Sequence, residues 1–378
     1  MYLHIGAPKS GTTFVQDVLW HNRDALARDG VLYPADSPDD HFHAALDLRR
    51  TRFRGYDDPA VPGTWQRVAD RARNWRGPVA VISHELLAWA NEDQARRAVE
   101  SLAPAEVHIV YTARDLVRQI PAMWQEAIKN GRVVRFPRYL RSLARPERRG
   151  PFARIFWGSQ DAADVLRRWG AAIPADRVHL VTVPGPGAPP GQLWERFASA
   201  VRLDPAKYDI QMGGSNVSLG VAEVELLRRV NTLVREALEW PVYAEVVKRG
   251  FAERTLASRA GKIPITLPPA WHTWVAKRST ELVEALRDEE YDIVGDLEDL
   301  LPEPEPEPGP ADSPGPGPAG ADAVRDVAVE TLASVLMDTA SARSAPRAAW
   351  RRRVRVTRRR AQGMLRRLGT RGHVISRG

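Results

Sequence analysis

The sequence predicts an α/β fold of three layers, a central parallel sheet flanked by helices, with a disordered linker and a basic C-terminal tail behind it. Three observations predict this. A short apolar run at the chain start enters a glycine-bounded loop and then a helical pattern. Further short apolar runs alternate with helical stretches as far as Leu301. Beyond Leu301 the composition changes abruptly.

Taken in order, Tyr2 to Ile5 is the first strand, Gly6 and Gly11 bound the loop, and a helix begins near Thr12 or Thr13 and runs on to Trp20. Val79 to Ile82 is continuously apolar, as expected of a parallel strand covered on both faces. Val107 to Asp115 reads the same way, with Arg114-Asp115 at its carboxyl end, and Pro121 is expected to interrupt the helix that follows. Asp164 to Trp169 is helical, and Val178 to Val183 is the last clear strand. A long amphipathic helix from Leu219 to about Ala237, opened by Asn216-Val-Ser218, and another from Trp271 to Leu286 complete a body of residues 1–301. Asn216 to Ser218 either caps its helix or touches a ligand.

Residues 302–321 are rich in Pro, Gly, Glu and Asp and lack any large apolar side chain, so a stiff, disordered linker is expected. Residues 322–342 read as one short helix with Val324, Val327, Leu332, Val335 and Leu336 as its apolar positions. Residues 343–378 contain thirteen Arg and no Lys, Asp or Glu, whereas the whole chain is formally +8, which leaves the remainder at −5. The basic character therefore belongs to the tail. Such a tail suits an anionic membrane surface, nucleic acid or an acidic partner, or it is a solubilising extension.

The loop carries the most chemistry. Strand, glycine turn and helix N-terminus aim backbone N–H groups and a positive dipole end at one point, which suits a phosphate. Gly6 and Gly11 have the spacing of a Walker A loop, but Thr12 stands where that loop has its lysine, and the only lysine, Lys9, lies inside the loop. This shift argues against an ATPase or kinase that works through Mg²⁺ at the β/γ-phosphates.

Pro8-Lys9-Ser10-Gly11-Thr12-Thr13-Phe14 instead resembles the 5′-phosphosulfate loop of the sulfotransferases that use 3′-phosphoadenosine 5′-phosphosulfate (PAPS), at every position. The resemblance implies a P-loop-like fold over roughly Met1 to Leu301 and in-line sulfuryl transfer from PAPS without a metal. It further implies that Ser10 to Thr13 bind the 5′-phosphate, that Lys9 neutralises charge on the leaving phosphate oxygen, and that Arg114 holds the 3′-phosphate. The family has a Ser eight positions after this Arg; here Ala122 stands there. Arg118, Gln119 and Gln125 are the nearby candidates to replace it, with Gln119 the preferred one.

A general base is needed within reach of the acceptor hydroxyl. Ser83-His84-Glu85 ends the Val79 to Ile82 strand and offers both His84 and Glu85. Alternation along a strand would point only one of them into a cleft, and a Glu after this strand resembles the carboxylate-base members of the family. Either residue could equally serve a helix start at Leu86. His41 and His43 are candidate substrate contacts, and no third ligand is spaced for a metal. Several of the twelve Trp (Trp65, Trp75, Trp89, Trp124 and Trp157 among them) could stack on sugar rings, although core packing explains most.

The absence of Cys fits a reducing compartment, and the N-terminus has no secretory pattern, so a cytoplasmic protein is expected, peripheral at the inner membrane surface if the tail binds lipid. The expected partners are PAPS and a hydroxyl or amine acceptor on a glycan, glycolipid or small metabolite. The alternative, motivated by Ala122, is a catalytically degenerate nucleotide-binding scaffold docked through its arginine tail to membrane or nucleic acid.

Overall fold

The computed structural model describes residues 1–211, 218–303 and 320–344, with side chains as far as Met337. The expected linker and arginine tail lie almost wholly outside the described residues, as do Asn216 and Val217 of the Asn-Val-Ser segment. Residues Met1–Val324 form one compact unit, and the chain from Arg325 belongs to another.

Six parallel strands make one sheet in the order β2-β3-β1-β4-β5-β6: β1 Tyr2–His4, β2 Val31–Leu32, β3 Val79–Ser83, β4 His108–Ala113, β5 Val178–Thr182 and β6 Asp292–Val294. Strand alternation sorts the core into two layers. Leu3, Ile82, Ile109 and Leu180 face one, with Trp169 and Val165 of the Ala162–Gly170 helix. Tyr2, Val81, Val110 and Val181 face the other, with Val15, Val18 and Leu19 of the Thr12–His21 helix and Trp194 and Phe197 of the Gln192–Ala200 helix. Helices on both faces explain why these strands read as continuous apolar runs.

The order places a switch point between β1 and β4. After β1 the chain builds toward β2 and β3, and after β3 it crosses to build β4, β5 and β6. Ligands of open parallel sheets bind outside the strands' carboxyl ends at such a point.

Three expectations need correction. β5 is not the last strand, because Asp292–Val294 adds to its outer edge, with Leu180 opposite Ile293. Pro121 does not interrupt its helix, which runs unbroken from Leu116 to Lys129. Its missing N–H forfeits one turn bond near the N-terminus, while Leu116, Ile120, Met123, Trp124 and Ile128 bury the helix on both sides of it. The long helix begins at Val221, not Leu219, and ends at Val234. The C-terminal helix spans Ala321–Ser344, and its Leu332, Val335 and Leu336 are exposed.

Candidate functional site

A cleft of about 1320 Å³ opens at the carboxyl ends of the strands. Its floor is the β1–helix junction. Gly11 caps the Thr12–His21 helix at φ 82°, and a side chain there would run into Leu193. Lys9 also takes a left-handed backbone, at φ 66°. Gly11, Thr12 and Thr13 open the helix, so their N–H groups have no intrahelical acceptor. Pro8, Lys9, Gly11, Thr12 and Thr13 line the cleft.

Ser10 does not line it. Its side chain is fully buried, and its hydroxyl bonds Ala7 O at 2.5 Å and Thr112 Oγ1 at 2.6 Å, tying the loop to β4. Gln119 lies behind the loop as well. It is fully buried, donates to Pro8 O and, at 2.8 Å, to Gln160 Oε1, while Gln160 also donates to Pro8 O at 3.0 Å. Four residues after the helix cap Asp115, Gln119 faces inward toward β1, so it fixes the loop carbonyl instead of facing the cleft.

Arg114, one residue beyond β4, lines the cleft and donates to Lys9 O at 3.3 Å. Its Nε is buried without a hydrogen-bond partner, a costly condition that a ligand would relieve. Burial, and then the Arg118 charge, lower its pKa. Arg118 is held by Asp115 and donates to Pro184 O at 3.0 Å. Ala122 lines the cleft, and one turn on Gln125 grips Leu219, accepting from its N–H at 3.1 Å and donating to its carbonyl at 3.3 Å.

Lys9 Nζ lies 3.4 Å from Glu126 Oε2, and Lys248 Nζ donates to the other oxygen at 2.8 Å. Burial opposes the charge on Glu126, yet Lys248 and Lys9 outweigh it and hold the carboxyl far below the usual range. Lys129, buried nearby, is lowered mainly by burial.

His84 and Glu85 both line the cleft, contrary to the alternation expected of a strand. The strand ends at Ser83 and the chain turns into a 3₁₀ helix at Glu85–Trp89, so the two-residue period no longer applies. Leu86 N–H donates to His84 Nδ1 at 3.1 Å, which places the proton of a neutral imidazole on Nε2. Burial holds His84 below the usual imidazole range. Gln16 donates to Glu85 Oε2 at 3.0 Å. Burial pushes Glu85 up, but His84, Gln16 and Lys9 outweigh it and keep the carboxyl below its ordinary value.

His41 and His43 part company, as helix positions two apart must. His41 is buried at the cleft wall, accepts from Ser83 N–H at 3.3 Å and is lowered by burial to about 4. His43 is outside the cleft lining and pairs with Asp58 at 3.5 Å. Of the tryptophans, Trp65, Trp124 and Trp157 are core, whereas Trp89 lines the cleft. Sequence reasoning missed Gln16, Glu126, Lys248 and Trp240. Gln16 and Glu126 carried a signal, since each stands one helical turn from a residue already singled out, Thr12 or Thr13 and Ala122. Among the described residues, no cluster of three or more His, Asp or Glu is arranged to hold a metal, and no helix is long and apolar enough to cross a membrane.

No family model matches the chain, and no curated protein matches it. Among solved structures it is similar to a sulfotransferase from Alicyclobacillus acidocaldarius, at 14% identity and a TM-score of 0.40, over 64% of this chain and 97% of that one. A likeness at that level carries no argument about activity.

Proposed function

We propose that the chain transfers a sulfuryl group from PAPS to a hydroxyl of an acceptor bound in the same cleft. The observation that carries this reading is the meeting of the Pro8–Thr13 loop with Arg114 at the β1/β4 switch point, joined by the hydrogen bond from Arg114 to Lys9 O. Open N–H groups at a helix start suit one phosphate, and a guanidinium with a buried, unpartnered Nε suits a second, separate phosphate. An ordinary nucleotide has no use for the second grip; a 3′-phosphate does.

PAPS supplies the activated sulfuryl group and a phosphate leaving group. Gly11, Thr12 and Thr13 present N–H donors to the 5′-phosphate, and Lys9 leaves Glu126 to neutralise charge on the departing oxygen. Glu85, kept ionised, accepts the acceptor's proton. His84, whose Nδ1 is occupied by Leu86 N–H, offers Nε2–H as a donor and orients the acceptor; it is not the base. Gln119 and Gln160 position the loop through Pro8 O. Ser218, which lines the cleft beside the Leu219 that Gln125 grips, offers a hydroxyl in place of the one lost at Ala122.

Calorimetric titration with 3′-phosphoadenosine 5′-phosphate against ADP tests the donor assignment. Wild type is expected to prefer the 3′-phosphate by about tenfold or more, and Arg114→Ala to lose that preference. Equal binding of the two nucleotides overturns the PAPS reading, and no binding of either by folded protein favours the scaffold that Ala122 suggests.

A further inference from the structure

The acceptor half of the cleft holds two arginines with nothing to neutralise them. Arg54 and Arg132 both line it, and among the described residues neither has an ion pair or a side-chain hydrogen bond. They are neighbours. Arg54 Nη2 rests against Gly131, where an added Cβ would come within 2.9 Å of it, and Gly131 takes φ 82°, a conformation that suits glycine. Partial desolvation at the cleft rim, and next the Arg132 charge, depress the pKa of Arg54. Other cations of the cleft differ in this respect: Lys9 and Lys248 share Glu126, Arg118 has Asp115, and Arg249 has Glu245.

A row of rings connects this pair to the reacting end. Phe42 lies 5.5 Å from His84 between ring centroids, Phe53 lies 5.4 Å from Phe42, and Trp240 lies 4.9 Å from Phe53. Phe42, Phe53 and Trp240 all line the cleft. Arg54 follows Phe53 directly in a 3₁₀ turn, at φ 56°, so the middle ring of the row and the first guanidinium are set by one backbone feature. Base at one end, apolar ring faces along the wall and two uncompensated cations at the other describe a slot for a ring-containing molecule with an anionic substituent away from its reacting hydroxyl.

We propose that Arg54 and Arg132 form an anion subsite that selects an acidic saccharide, bearing a carboxylate or sulfate, as the acceptor. This rests on the transferase reading of the cleft, and the slot binds the acid before any chemistry occurs. No bond is made or broken at the arginines.

The test is calorimetric binding of two tetrasaccharides of equal length to the full chain, in the presence of 3′-phosphoadenosine 5′-phosphate. One alternates glucuronate with N-acetylglucosamine, and the other is neutral chitotetraose. Wild type is expected to bind the acidic one at least about tenfold tighter, with the margin falling as salt rises. Arg54→Gln and Arg132→Gln should each reduce the margin severalfold, and the double variant should abolish it while leaving binding of 3′-phosphoadenosine 5′-phosphate unchanged. Both arginines are exposed at the cleft rim, so the variants should melt as wild type does. Arg132→Glu provides a second variant that should favour the neutral sugar. Equal binding of the two sugars, binding of neither, or a preference that survives in the double variant overturns the proposal. Loss of the transferase reading would register separately, as failure of wild type to prefer 3′-phosphoadenosine 5′-phosphate over ADP.

Discussion

The two ends of the sheet are both crowded with ionisable groups, and they treat them in opposite ways. At the amino end, His108 of β4 and His179 of β5 stack with centroids 5.1 Å apart, and His108 Nδ1 lies 2.9 Å from His179 Nε2. His179 Nδ1 is 2.6 Å from Asp292, His108 Nε2 is 2.9 Å from Glu106, and Glu106 also meets Arg177 at 3.0 Å. Even the terminal amine is tied down, donating to Glu106 O at 2.6 Å. At the carboxyl end Arg114 keeps a buried Nε without a partner, and Arg54 feels the charge of Arg132 with no ion pair at either among the described residues. Charge alone does not mark a site. Partners that the fold supplies make a charge structural, and partners it withholds leave the charge for something that arrives later.

The sharpest way to break this contrast is to neutralise one group at each end. On the proposed reading of the cleft, Glu85→Gln should lower sulfuryl transfer by about 10²- to 10⁴-fold with nucleotide affinity intact, as loss of a general base does. Activity within a few-fold of wild type, read in a steady-state assay with PAPS, would transfer the base role elsewhere.

A second effect is set by pH and belongs to groups near the cleft that the fold has buried. His4 and His41 are each lowered by burial to about 4. The folded state therefore binds fewer protons than the unfolded chain, whose imidazoles titrate near 6.5. This stability is full above pH 6.5 and is lost as pH falls toward 4, by about 3 kcal/mol per histidine. Chemical denaturation between pH 7 and 4.5 should show the decline, and His4→Asn should reduce it by about half, leaving the share of His41. An unchanged slope in that variant would remove His4 from the account.

The smallest effect is expected at the amino end. His179→Ala should cost about 1–3 kcal/mol of folding stability by stranding the buried His108 Nδ1, with turnover per folded molecule unchanged. A fall in turnover at constant folded fraction would show that the amino end is coupled to the chemistry and would end the contrast.

Much of the fold was legible because buried parallel strands are written as unbroken apolar runs: β1, β3, β4 and β5 lie where Tyr2, Val79, Val107 and Val178 begin theirs. β2 and β6 were not, since two or three residues at a sheet edge, one of them the exposed Asp292, leave no periodic trace. The loop was readable because its residues are contiguous. Which way His84 and Glu85 point was not, because the turn that replaces alternation there depends on tertiary packing. Nor could spacing bring Arg54 beside Arg132; that neighbourhood depends on the space left by Gly131.

Glu126 has one more consequence. Cells hold millimolar quantities of small anions, and an uncompensated lysine at the loop would be saturated by them. Because Glu126 already occupies Lys9 and shares itself with Lys248, a lone phosphate or sulfate must displace a tethered competitor of very high local concentration. A ligand that also engages Arg114 and the helix N–H groups has several more contacts with which to win that exchange. The carboxylate thus acts as a gatekeeper against background ions, and it is ready to reclaim the lysine when a product departs.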